Sequence, residues 1–177
     1  MTLQKKGNDL SWEQGISQSL TKKFPRNFSC NEERLAIMVT FNNEELQVML
    51  KLWVERMKLQ EWDIRASIIR GKDFILGDSC GEVNFLLSKA QATIHLLDPI
   101  DYPSDTAFEQ DMEVTLVHEL LHLKFAAFQP EEGTLKHDLF ERAIQTTAEF
   151  LVGMRREIVA DKTKRIVSGE SVREVLL

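Results

Sequence analysis

The sequence predicts an α+β fold: an N-terminal helix, a small three-stranded and mostly antiparallel sheet, then two long helices. Three observations predict it. Leu46, Met49, Leu50, Trp53, Val54 and Met57 recur at helical spacing and form one broad apolar stripe. Residues 62–97 then hold three short stretches that partly alternate or are rich in β-branched side chains. From there to about Val159 the helical period returns in two runs, separated by Gln129-Pro130 and Gly133.

The first helix takes Asn42 as N-cap with Glu45 in the capping-box position, and its pattern carries to about residue 60. Residues 35–41 read as a short extended lead into it. Strands are expected at 62–69, 81–87 and 90–97, with Gly71 and Gly77-Asp78 punctuating the first connection and a turn near Ser88-Lys89 closing the second. Such closely spaced strands suggest an antiparallel meander rather than βαβ units. Pro99 and Pro103 mark a loop over 98–105. Thr106 with Glu109 then forms a second capping-box pattern, opening a helix that ends near Phe128. The last helix starts near Thr134 or Leu135, with Leu139, Phe140, Ala143, Ile144, Ala148, Leu151, Val152 and Met154 at helical spacing. The domain therefore spans 31–160. Residues 1–30 form a polar, loosely attached extension, and 161–177 a polar tail with at most one short helix.

Composition narrows the function classes. A chain of 177 residues is long enough for one domain with a sizeable core. The formal charge of −6 gives no basic footprint for nucleic acid and none for an anionic membrane surface. The amino-terminal stretch has no apolar segment of secretory type, and no apolar run reaches the length of a membrane span. Cys30 and Cys80 are too few for a disulfide framework or a thiolate zinc site, so both are expected as reduced thiols. The expectation is a soluble cytoplasmic protein.

One motif carries chemistry. His118-Glu119-Leu120-Leu121-His122 is an H-E-x-x-H pattern in an apolar run that includes Leu116, Val117, Leu123 and Phe125. Two histidines four residues apart project from one helix face, where their ring nitrogens can hold a Zn²⁺ at about 2.0–2.1 Å. Glu119 between them is placed as general base rather than ligand. Catalytic zinc usually takes three protein ligands, and the positions where a metzincin has its glycine and third histidine hold Phe125 and Phe128. The third ligand must then come from the following helix, whose candidates are His137, Asp138, Glu141 and Glu149. Glu141 is preferred: it lies far enough beyond His122 for the chain to turn back, and it adjoins the apolar face of Phe140, Ile144 and Ala148. Glu149 is the runner-up. His137, one turn before Glu141, is a candidate supporting or oxyanion-stabilising group, as is Tyr102. His95 sits among Ile94, Leu96 and Leu97 and reads as a packed or paired strand histidine.

The residues 92–99, 115–123 with the H-E-x-x-H core, and Phe140-Glu141-Arg142-Ala143-Ile144 together resemble the minimal gluzincin (minigluzincin) metallopeptidases of phage and bacterial type. More distantly they resemble the ImmA/IrrE and SprT-like domains. The likeness covers roughly residues 42–158. It implies a zincin-like domain with zinc on His118, His122 and Glu141, and a peptide substrate pairing with an edge strand at 90–97 beside the metal. Many gluzincins carry an acidic residue four positions after the glutamate ligand, and this chain has Gln145 there. Gln145 can still accept a hydrogen bond but brings no charge.

The leading expectation is thus a zinc-dependent endopeptidase with Glu119 as general base. Two rivals use the same residues differently: a zinc-binding, phage-associated regulatory or interaction module with little turnover, and a metal-free helical interaction protein with both histidines in its core.

Overall fold

The computed structural model describes residues 40–75, 79–105 and 109–168, the last seven as helix backbone. They belong to the second of two units, Ala36–Leu177; the first is Met1–Leu35. The predicted extension over 1–30, most of the lead-in at 35–41, Thr106 and the end of the tail lie outside the described residues.

Helix α1 (Asn43–Arg56) starts where its capping box predicts. The Asn42 side chain accepts from the Glu45 backbone N–H at 2.9 Å, and the Asn42 N–H donates to the Glu45 carboxylate at 2.9 Å. Leu46, Leu50 and Trp53 are its buried face. It stops four residues short of the predicted end. Lys58 adopts a left-handed conformation (φ 56°), with Lys58 N–H bonded to Glu55 O and Leu59 N–H to Val54 O. That is a Schellman closure built on a lysine instead of the usual glycine.

The sheet corrects the predicted meander. Strands β1 (Asp63–Ile69), β2 (Gly81–Leu86) and β3 (Gln91–Leu97) lie in the order β1-β3-β2. β1 runs parallel to β3 (Asp63 opposite Gln91, Ile69 opposite Leu97), and only β2 is antiparallel to it. The connection over 70–80 is long enough to carry the chain past the slot that β3 fills. Its start is fastened by Arg70, which makes a two-pronged ion pair to Asp101 (2.6 and 2.7 Å), and by the Gly71 N–H on the same carboxylate. A 3₁₀ turn at Leu87–Lys89 with Ala90 left-handed (φ 49°) closes the β2–β3 hairpin near the predicted turn. Because β3 is hydrogen-bonded on both sides, residues 90–97 cannot be the strand that accepts a substrate. Among the described residues, the outer edge of the sheet opposite β1 is β2.

Helix α2 (Met112–Lys124) is capped by Asp111, whose side chain accepts from Val114 N–H at 3.1 Å, so the described helix begins later than the Thr106 pattern predicts. The buried Gln110 side chain donates to Leu97 O at 2.7 Å and ties the start of α2 to the end of β3. A 3₁₀ turn (Ala126–Phe128) follows, then α3 (Leu135–Ser168). The predicted stop near Val159 is overrun because the stretch between Gly153 and Gly169 contains no helix breaker; polarity alone does not end a helix. Residues 161–168 are therefore helix, not tail. No helix among the described residues is long and apolar enough to cross a membrane.

The core joins Leu46, Leu50 and Trp53 of α1, Ala92, Ile94 and Leu96 of β3, Leu116, Val117, Leu120 and Leu121 of α2, and Ile144, Ala148 and Val152 of α3. A charged network reaches into it from α2. Glu113, fully buried, accepts from Trp53 Nε1 (3.0 Å), from the Arg155 guanidinium (2.5 Å) and from Arg156 Nε (3.2 Å), while Arg156 also grips Asp111 (2.7 and 2.9 Å). Removing one member of such a network strands the others without partners. Glu113→Ala is expected to lower stability by about 3–5 kcal/mol, read from denaturant unfolding. A loss below about 1 kcal/mol, the usual value of an exposed pair, would show that the network is not a structural joint.

Candidate metal centre

Helix periodicity puts His118 and His122 on the face of α2 turned toward α3, and the antiparallel return of α3 brings Glu141 to them. His118 Nε2 and His122 Nε2 are 3.2 Å apart; Glu141 Oε2 is 3.3 Å from the first and 3.6 Å from the second. These three are the group of potential ligand residues that the described residues bring together. Four ligands arranged tetrahedrally at about 2.05 Å from a zinc ion are separated by about 3.3 Å. The observed triangle has that size, and two imidazoles with one carboxylate are a donor set zinc accepts. The residues present therefore fit the metal that the motif implies.

The surroundings set the protonation of the site. Burial pushes His122 below the usual histidine range, which keeps its ring neutral as a ligand must be. The His118 Nδ1 lies 3.0 Å from Gln145 Oε1, whereas the buried His122 Nδ1 has no hydrogen-bond partner among the described residues. Glu119 is buried on the side of α2 facing β2, and its carboxyl is pushed up to about 8, first by burial, then by the neighbouring Glu141 and Glu82.

Gly81, the first residue of β2, makes room for that carboxyl. A Cβ there would come within 2.7 Å of Glu119 Oε1 and 2.5 Å of Thr115 Cγ2. The cleft over the ligand atoms is bounded by β2 on one side, by Gln129 and Pro130 of the α2–α3 connection on another, and by His137.

The other expected residues fall as follows. Glu149, the alternative ligand, is outside the group; its Oε1 accepts from Gln145 Nε2 at 2.8 Å. His137 lines the cleft with Nε2 3.5 Å from Glu141 Oε1. Tyr102 lines a neighbouring cavity with Gln145 and Glu149 instead, so it does not face the cleft that holds the ligand atoms. His95 is paired: its Nδ1 is 2.9 Å from the buried Glu82 carboxylate, which also accepts from Ile75 N–H. Cys80 is a free thiol. Gly81 and Glu82 escaped the sequence reading. A glycine opening a strand and a glutamate in an alternating stretch carry no signal until β2 is packed on α2.

Comparison of the chain with protein-family models, with curated proteins and with solved structures returns no match.

The raised Glu119 gives a pH signature to the metal-free protein. Between the ordinary carboxyl range and about 8 the folded state holds a proton that the unfolded state has released, so stability falls as pH rises through that window. His122, depressed in the folded state, acts with the opposite sign near its ordinary value. Comparing wild type with Glu119→Gln isolates the first effect. Chelator-treated wild type should lose more stability than the variant between pH 5 and pH 8 in urea melts, and parallel curves would exclude a buried, protonated Glu119.

Proposed function

We propose that this chain is a zinc-dependent metallopeptidase of the minimal gluzincin type, with His118, His122 and Glu141 as ligands and Glu119 as general base. The observation that carries the reading is the triangle of two Nε2 atoms and one carboxylate oxygen at tetrahedral spacing, with a buried carboxyl from the same helix beside it. Zinc held by these residues would supply Lewis acidity to a peptide carbonyl and acidify the attacking water. Glu119, in the carboxylate form, takes a proton from that water and passes it to the departing amine. His137, at the cleft wall, is the group best placed to donate to the developing oxyanion. An extended peptide would lie along β2, the outer strand of the described sheet whose residues border the cleft, and not along residues 90–97.

The test begins with metal. Elemental analysis of untagged protein should find about one zinc per chain, lost in His122→Ala, as a three-ligand site requires. Zinc absent from both proteins, with added metal unable to raise the melting temperature, would sink the reading. Zinc present without hydrolysis of any peptide would favour the regulatory module.

Two substitutions probe the base. Glu119→Gln should keep zinc and fold while losing hydrolysis by about 10²–10⁴-fold, the range for a general base. Gly81→Ala leaves every proposed ligand in place but crowds Glu119 and Thr115. It should lower kcat with zinc content unchanged, because a misplaced base costs rate and not affinity for the metal. A Gly81→Ala enzyme with wild-type kcat would mean that the glycine serves only the backbone.

A further inference from the structure

The partner of His118 is itself held by a second residue, and that second contact decides which ring nitrogen of His118 is bare. Glu141, Gln145 and Glu149 stand four residues apart along α3 and so share one face. Gln145 bridges the histidine and the outer glutamate, with Oε1 3.0 Å from His118 Nδ1 and Nε2 2.8 Å from Glu149 Oε1. A carboxylate only accepts, so the amide NH₂ of Gln145 must point at Glu149. Its oxygen then faces the ring, which obliges Nδ1 to carry the hydrogen and, in the neutral imidazole, leaves Nε2 with the free lone pair. Nε2 is the atom 3.2 Å from His122 Nε2 and 3.3 Å from Glu141 Oε2. With the opposite amide orientation, Nδ1 would accept and a hydrogen would sit on Nε2, where a cation has to bind.

We propose that Glu149 is a positioning residue of the metal centre: acting through the Gln145 amide, it selects the His118 tautomer that can ligate. The inference rests on the metal reading above. It gives Glu149 a role without making it a ligand, and it replaces a carboxylate placed directly on the histidine by one placed one amide further out.

The experiment uses the full chain and two readouts. Zinc affinity is measured by competition with a chromophoric chelator for wild type, Glu149→Gln, Gln145→Leu and the exchange variant Gln145→Glu/Glu149→Gln. The His118 tautomer is read from long-range ¹H–¹⁵N correlation of the imidazoles in chelator-treated protein. Gln145→Leu should weaken zinc by about 10–100-fold, and Glu149→Gln by about threefold or more, as loss of a histidine's supporting partner does. Glu149→Gln should also convert His118 from the Nδ1–H form to a mixture. The exchange variant, which places a carboxylate directly on Nδ1, should recover both affinity and tautomer. A merely structural role for Glu149 would leave the tautomer unmoved. Zinc affinity and tautomer both unchanged in Glu149→Gln, in a wild type that binds zinc, would overturn the relay alone. A wild type that takes up no zinc would overturn the relay together with the metal reading.

Discussion

The structure depends on the register in which α3 lies across α2. Polar contacts mark it, and they run in opposite directions along the two helices: Glu113 with Arg155 and Arg156, His118 with Gln145 and Glu141, and His122 with Glu141. Between and around them, Ile144, Ala148 and Val152 fill the space against the apolar side of α2. Apolar packing alone tolerates small slides of one helix along another, since volume and patterning matter more than exact partners. A buried carboxylate held by two guanidiniums and an indole N–H does not, because every displaced donor is left unsatisfied. The Glu113 joint therefore lies at one end of the helix pair and sets the height at which Glu141 arrives at the other. It also reaches α1 through Trp53, so three of the layers around the sheet share a single buried charge.

Against that pair the sheet serves as a cover. β3 supplies the buried Ala92, Ile94 and Leu96, and Gln110 ties its end to the start of α2. β2, held antiparallel to β3, brings Gly81 against Glu119 and leaves its own outer edge beside the cleft. The parallel pairing of β1 with β3 is what places β2 on the outside. A meander would have put β2 in the middle and buried the edge that now borders the candidate ligands. Topology and site are thus linked through one strand.

Much of the candidate site was legible because its parts are local. His118, Glu119 and His122 sit within one turn and a half, where spacing alone decides which residues share a face. The return of Glu141 needed only a short connection and an apolar stripe to orient it. What escaped was non-local, or lacked its usual marker. Strand order depends on how residues 70–80 travel, and the same alternation serves either pairing. The end of α1 is made by Lys58 where a glycine would have announced it, and α3 continues to Ser168 through polar residues that contain no breaker. The partners of Glu113 lie 42 and 43 residues away, beyond the reach of any periodicity. The role of Gly81 appears only once a second element is packed on it.

The electrostatics of the cleft add a constraint that the motif alone does not state. Two imidazole nitrogens and a carboxylate oxygen converge within 3.6 Å, while Glu119 lies close enough for Glu141 to raise its carboxyl. Without a positive charge among them the lone pairs crowd, burial and the neighbouring Glu141 and Glu82 disfavour ionising Glu119, and burial keeps His122 neutral. A divalent cation would offset the crowding and the Glu119 penalty together, attracting the three donors and lowering the cost of the Glu119 charge, while His122 stays neutral as a ligand must. On the proposed reading, metal binding and activation of the base are then one event, because the ion that orders the ligands also returns Glu119 to the carboxylate form in which it can accept a proton. The same coupling makes metal affinity part of folding stability, since the unfolded chain has no preformed site.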